Sequence, residues 1–242
     1  HGRRRVPETA PLPRVSVIMP IKGAHPFLAA NVEALARLEP FAGEVLLAVA
    51  TPDDAAVPVL APIVARHAGR LKLLVGEANE FRNPKLRNLA KAWRAAAEDT
   101  ILFLDDNVAV EPGLYRELLG TLDARIAATT AAPVGTDARG LPAEIEAATC
   151  NGYLFRIERL LELLGGAAAF GNALALSKRR LEAAGGLAQL HEGPCEDNAL
   201  SKALRAGGGR VSLLPLPVAR RIGRRTWREI GLRHLRWKNC AK

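Results

Sequence analysis

The chain has 242 residues, 49% hydrophobic and 24% charged, which is enough apolar material for one sizeable α/β domain and excludes a disordered segment. Its formal charge of +9 and pI of about 10.0 call for an anionic partner: nucleic acid, an anionic membrane surface or a small anionic substrate. Aromatic residues make up only 5%, too few for a stacking platform on single-stranded nucleic acid, and Cys150, Cys195 and Cys240 lie too far apart for a zinc site or a disulfide framework.

Residues 1–13, with Arg3, Arg4 and Arg5, read as a loose basic arm. Val15 to Met19 is an apolar strand closed by the turn Pro20-Ile21-Lys22-Gly23. Pro26 to Leu38 has helical spacing through Phe27, Ala30, Ala34, Leu35 and Leu38. Glu44 to Ala50 is a second buried strand, Ala55 to His67 a helix and Leu71 to Val75 a third strand. Asn83-Pro84 opens a helix that runs to about Glu98. Ile101 to Leu104 is the fourth strand. The first half is therefore β-α-β-α-β-α-β with short loops, a nucleotide-binding α/β pattern.

The second half is less regular. Leu114 to Leu122 reads as a helix, Ile126 to Thr130 as a strand and Leu141 to Leu164 as a long helical stretch. Gly165 to Leu176 is a small-residue loop entering a strand. Asn198 to Arg205 is a helix, and an arginine-rich tail runs from Arg220 to Trp237. No apolar run reaches the roughly 20 residues of a membrane span, and there is no signal peptide. Beginning at His1, the chain is expected to be a domain of a longer protein whose membrane spans lie outside it.

Charge collects where the strands end. Thr51-Pro52-Asp53-Asp54 follows the second strand and Asp105-Asp106-Asn107 the fourth. In open α/β sheets, ligands bind beyond the carboxyl ends of the strands. Unpaired carboxylates are too costly to bury as core. Hard oxygen donors there suit Mg²⁺ or Mn²⁺ carrying a diphosphate, although an acidic turn that caps the next helix has the same composition. Gly-x-Gly-x-x-Gly and Walker loops are absent, which argues against dehydrogenases and P-loop enzymes.

Seven segments in order, VSVIMPIKG, EVLLAVATPDD, NPKLRNL, LFLDDN, AAGGL, CEDNALSKAL and RHLRW, resemble the family 2 type glycosyltransferases. The resemblance is to their ceramide glucosyltransferase-like branch, which includes lipid and hopanoid glycosyltransferases, and it covers nearly the whole chain from Val15 to Trp237. It implies a GT-A (Rossmann-like) α/β fold with a mostly parallel sheet over residues 14–225. A C-terminal amphipathic helix, residues 226–242, would lie at a membrane interface. It implies an inverting transfer of a hexose, most simply glucose from a UDP-sugar, to a lipid hydroxyl on an anionic cytoplasmic membrane face (the inner membrane if bacterial), with no nucleic-acid partner.

By the same resemblance, Asp54 would read the uracil ring, a role that competes with simple helix capping. Lys85 and Asn88 would lie along the nucleotide, where lysine acts as a point charge on the diphosphate and otherwise as a solvated first-turn residue. Asp105 would contact ribose and metal-bound diphosphate, with Asp105 and Asn107 as metal ligands for Mg²⁺ or Mn²⁺. Asn107 replaces the expected second carboxylate of the D-x-D element. Asp197 would be the catalytic base, and Gly171 and Asn172 would line the acceptor side. Arg233, Arg236 and Trp237 would form an R-x-x-R-W element against the diphosphate and acceptor. Two rival readings are a polysaccharide synthase-type or other UDP-sugar enzyme, and a non-catalytic basic module for nucleic acid or membrane.

Overall fold

The computed structural model describes residues 5–76, 81, 83–154, 156–157, 160, 171–190 and 196–240, and within these the side chains of 153–154, 196 and 236–240 fall outside the description. Three strand–helix units and a fourth strand come first: β1 (Val15–Ile21), α1 (Leu28–Ala36), β2 (Gly43–Val49), α2 (Ala56–Arg66), β3 (Leu71–Val75), α3 (Pro84–Ala95) and β4 (Thr100–Leu104). They are followed by β5 (Val108–Ala109), α4 (Pro112–Gly120), β6 (Ile126–Thr130), β7 (Pro133–Arg139) and α5 (Leu141–Ala148), which runs into a π-helical turn, Thr149–Leu154. Last come β8 (Ala173–Ser177), α6 (Lys178–Ala183), a 3₁₀ turn (Gly186–Leu190), α7 (Glu196–Ala206), β9 (Arg210–Leu213), β10 (Val218–Arg224) and α8 (Trp227–Cys240).

The main sheet has seven strands in the order β3-β2-β1-β4-β8-β6-β9, and β8 alone runs against the others. Both faces are covered. Val15, Val17, Met19 and Ile21 of β1 alternate with Ile18. The first set packs with Leu28, Val32, Leu60 and Leu118 under α1, α2 and α4. The second packs with Leu86, Leu89, Trp93, Leu181 and Leu200 under α3, α6 and α7. Side chains alternate with a period of two along a strand, so a sheet buried on both faces reads as an unbroken apolar run. Each such side chain, fully buried, contributes about 1.5–3 kcal/mol. The α/β fold class with a largely parallel sheet is as expected.

Several expectations need correction. β1 runs through Pro20 to Ile21, where a turn was expected, pairing with β2 as Pro20↔Ala48 and Ile21↔Val49. Pairing with β4 stops at Ile18↔Phe103, so one flank of β1 is already open when the chain reaches the proline. The helical stretch expected over 141–164 is α-helical to Ala148, passes through a π-helical turn and is helical again at 156, 157 and 160, while residues 155, 158, 159 and 161–164 lie outside the described ones. The first part of the expected basic tail is strand β10, the centre of a three-stranded sheet ordered β5-β10-β7. That sheet hangs off the end of β4, because β5 begins four residues after Leu104.

Of the segment read as a loose arm, residues 5–13 lie along α4. The Val6 N–H donates to Glu117 Oε1 at 2.9 Å, and the Arg116 guanidinium donates to the carbonyls of Pro7 (3.3 Å) and Ala10 (3.0 Å).

Gly43 opens β2 with φ at +140°, and a Cβ there would stand 1.9 Å from the Val15 carbonyl oxygen. Gly43→Ala is expected to cost at least about 1–3 kcal/mol from the backbone conformation alone. A thermal melt of the variant beside the native chain checks this, with a clear drop in Tm expected.

Candidate active site

The carboxyl end of β4 carries Asp105, Asp106 and Asn107. Asp105 is held from two sides. Lys85 Nζ, in the first turn of α3, lies 3.1 Å from Oδ1, and Asn172 Nδ2, just before β8, donates to Oδ2 at 2.8 Å. The Asp105 N–H also donates to the Asn172 carbonyl at 3.2 Å. Lys85 is aimed by its own helix start, where Pro84 occupies the first turn and the Asn83 side chain accepts the Lys85 N–H at 2.9 Å.

Asp197, in the first turn of α7, faces the same space. Its Oδ1 accepts the Asn198 N–H at 2.9 Å and its Oδ2 the Gly171 N–H at 3.3 Å. The unsatisfied amides of a helix start favour the anionic carboxylate. One cavity is lined by Lys85, Asp105, Gly171 and Asp197, with Pro20, Leu89, Phe103, Leu104, Leu174, Leu190 and Leu200 as its apolar wall.

Asp106 is more deeply placed. Burial, and then the neighbouring Asp105 charge, push its carboxyl up to about 6, with Lys85 pulling the other way. Two adjacent carboxylates against one lysine leave an excess of negative charge that a cation would relieve. Of the three residues Asp105 lines the cavity, and its carboxylate and the Asn107 amide are hard oxygen donors of the kind that could hold a divalent ion. Among the described residues no three His, Cys, Asp or Glu side chains form a closed cage. Such an ion would take its other ligands from phosphates and water, as Mg²⁺ commonly does.

Asp54 and Asn88 sit at the neighbouring strand ends. Asp54 accepts the Gly23 N–H at 2.9 and 3.1 Å and caps α2 through the Ala56 N–H at 2.8 Å, which joins the ends of β1 and β2. Asn88 is buried and donates to the Ile21 carbonyl at 3.3 Å. Lys91, which the sequence reading passed over, sends Nζ to the carbonyls of Val49 and Leu74 at 2.7 Å each and also to the Gly76 carbonyl, tying β2 to β3. Its one signal is a lysine one turn after Asn88 on the buried side of α3.

Arg233 belongs to a second cluster. Glu146 on α5 is fully buried, and it takes Arg220 at 2.8 Å and Arg233 at 3.4 Å on Oε1, and Arg225 at 3.3 Å on Oε2. Arg221 N–H donates to the Asn107 carbonyl at 2.8 Å, and Arg220 pairs with Val108 across β10 and β5, so this cluster adjoins the Asp105–Asn107 turn. The side chains of Arg236 and Trp237 lie outside the described ones. Sequence reasoning missed Glu146, because nothing local distinguishes it from the other glutamate of α5, Glu144.

The fold is that of the GT-A glycosyltransferases. A mannosyltransferase from Pyrobaculum calidifontis, solved with GDP-mannose and Mn²⁺, superposes with a TM-score of 0.66 at 18% identity, over 93% of this chain and 62% of that one. Glucosyl-3-phosphoglycerate synthase from Mycobacterium tuberculosis, solved with Mn²⁺ and UDP-glucose, gives 0.52 at 13% identity, over 95% and 79%. The chain belongs to glycosyl transferase family 21, whose sequence model matches residues 1–241.

Ceramide glucosyltransferase 1 of Caenorhabditis elegans is 26% identical over 210 residues, covering 86% of this chain and 45% of that protein. Ceramide glucosyltransferase of Pyricularia oryzae is 35% identical over 127 residues, 46% of this chain and 26% of that one. The chain thus spans less than half the length of the curated relatives it matches.

His25, in the loop between β1 and α1, faces the arginine cluster. Burial, then the charge of Arg225, hold its imidazole below the ordinary value; Arg220 and Arg233 act in the same direction, and a backbone contact with Ile222 opposes the shift. A histidine with a lowered folded pKa binds its proton more readily in the unfolded chain. The contribution of His25 to stability should therefore fall as pH drops through the ordinary histidine range near 6.5. His25→Gln is expected to flatten that part of the curve, as read from urea unfolding between about pH 5 and 7.5.

Proposed function

We propose that this chain is the catalytic domain of an inverting glycosyltransferase. It transfers glucose from UDP-glucose to the hydroxyl of a ceramide-like or hopanoid-like lipid at the cytoplasmic face of a membrane. The observation that carries this reading is a cavity at the strand ends lined together by Asp105, Lys85 and Asp197. It is supported by the family, by the ceramide glucosyltransferase relatives, and by the nucleotide sugars and Mn²⁺ in structures of the same fold.

In this reading Asp105 receives the ribose and the diphosphate end of the donor, and Lys85 sets a positive charge beside the phosphates. Asp54, at the end of β2, would accept the uracil imide N–H. Asn88 holds the end of β1 in place beneath the nucleotide. A divalent cation, Mg²⁺ or Mn²⁺, held through Asp105 and Asn107 would supply charge to the departing UDP.

Asp197 takes the proton of the lipid hydroxyl as that oxygen attacks the anomeric carbon. The bond to the diphosphate breaks on the opposite face and the configuration inverts. The apolar wall of Leu89, Phe103, Leu174, Leu190 and Leu200 keeps water from competing for the sugar. Arg233, Arg236 and Trp237, which share one helix, would act on the leaving group and the acceptor as the R-x-x-R-W element of the family does.

The surface supports a lipid acceptor. α8 exposes Trp227, Leu232 and Leu235 at 61%, 58% and 61%, with Arg228 beside them, and α5 adds exposed Leu141 and Ile145. Apolar side chains rimmed by arginine suit the headgroup boundary of an anionic bilayer. Among the described residues no helix is long and apolar enough to cross a membrane.

Calorimetric titration with UDP and UDP-glucose, with and without Mn²⁺, tests the donor site. Metal-dependent binding is expected in the native chain and its loss in Asp105→Ala. Absence of nucleotide binding by the folded native chain would overturn the proposal.

A separate pair of measurements isolates the base. Asp197→Asn should bind UDP within about threefold of the native chain yet lose transfer to lipid acceptors by about 10²–10⁴-fold, the usual range for removing a general base.

A further inference from the structure

We infer that Glu146 is a positioning residue for the transfer reaction: its buried carboxylate fixes Arg233, and with it α8, relative to the Asp105–Asn107 turn. The inference rests on the glycosyltransferase reading above and deepens it. Three guanidiniums reach this one carboxylate from three places: Arg220 in the middle of β10, Arg225 between β10 and α8, and Arg233 on α8.

Their exposure is graded. The side chains of Arg220 and Arg225 are 6% and 10% exposed, whereas that of Arg233 is 26% exposed. Glu146 itself is at 1%. One buried arginine would suffice to neutralise one buried carboxylate. Three guanidiniums share this one carboxylate, and the most exposed of them is the arginine on α8.

The cluster is tied to the catalytic turn by backbone. Arg220 pairs with Val108, and Arg221 N–H donates to the Asn107 carbonyl at 2.8 Å. A carboxylate that holds both Arg220 and Arg233 therefore links α8 to the end of β4 through one rigid connection. Oε1 spans the two, with Arg220 Nη2 at 2.8 Å and Arg233 Nε at 3.4 Å. Losing it would leave β10 in its sheet, where the ladders to β5 and β7 remain. Arg233 would lose its tie to β10, and positive charge that the transition state draws on would be misplaced.

The test is a double-mutant cycle on UDP-glucose-dependent transfer to lipid acceptor, with UDP affinity measured by calorimetry and folding by thermal melt. Glu146→Gln and Glu146→Asp are each expected to lower kcat about tenfold while the KM for the donor and the Kd for UDP stay within about twofold. Glu146→Asp keeps the charge that buried Arg220 needs, so it reads position rather than folding.

In an Arg233→Ala background, the same Glu146 substitutions should cost less than about twofold more, because the residue through which Glu146 acts is gone. Losses that add fully in the double variants, or a Glu146→Asp chain with native kcat, would overturn the inference and leave the glycosyltransferase reading standing. A native chain that neither binds UDP nor transfers sugar would bring down both, and the two failures are told apart by the native controls.

Discussion

A sheet covered by helices on both faces has room for charge only at its ends, and this constraint arranges the rest of the molecule. Asp105 and Asp106 follow directly on the buried run of β4, where adjacent negative charges are least tolerable. Lys85 and Asn172 each take one oxygen of Asp105, and the two residues come from opposite sides of the strand. The cost that remains shows at Asp106, whose carboxyl burial pushes up to about 6. A turn left short of positive charge in this way is unsuited to a bare anion.

The same logic explains why α3 begins where it does. Pro84 and the Asn83 cap fix its first turn, so Lys85 projects over the end of β4 while Asn88 and Lys91, on the inner side, tie the ends of β1, β2 and β3. One helix thus supplies a ligand-facing charge and the polar ties that hold the neighbouring strand ends in register. Asp54 does this from the other flank by joining Gly23 to the start of α2.

The small sheet β5-β10-β7 extends the site sideways. It begins just after the Asp105–Asn107 turn and ends at α8, so the C-terminal helix is linked to the end of β4 by strand pairing as well as by the chain that precedes it. Glu146 is the electrostatic counterpart of that link. The exposed apolar side chains of α5 and α8 lie on the two helices that Glu146 and Arg233 join.

The sequence by itself determined β1 to β4, the helices between them and the acidic strand ends. These signals are local: an unbroken apolar run is a strand buried on both faces, and a carboxylate directly after it has nowhere to go but the strand end. The roles expected of Asp54, Lys85, Asp105, Asp197 and Arg233 came instead from the resemblance of their motifs to a glycosyltransferase family, which local periodicity does not supply.

Only the tertiary structure decided the rest. VARRIGR reads as a basic tail because its arginines look solvated, yet it is a strand whose Arg220 is buried by a glutamate 74 residues earlier in the chain. Asn172 and Asp105 stand 67 residues apart and meet because β8 runs antiparallel to β4. Pairing of charge across such separations leaves no periodicity in the sequence, so it becomes visible only when the sheet has brought the partners together.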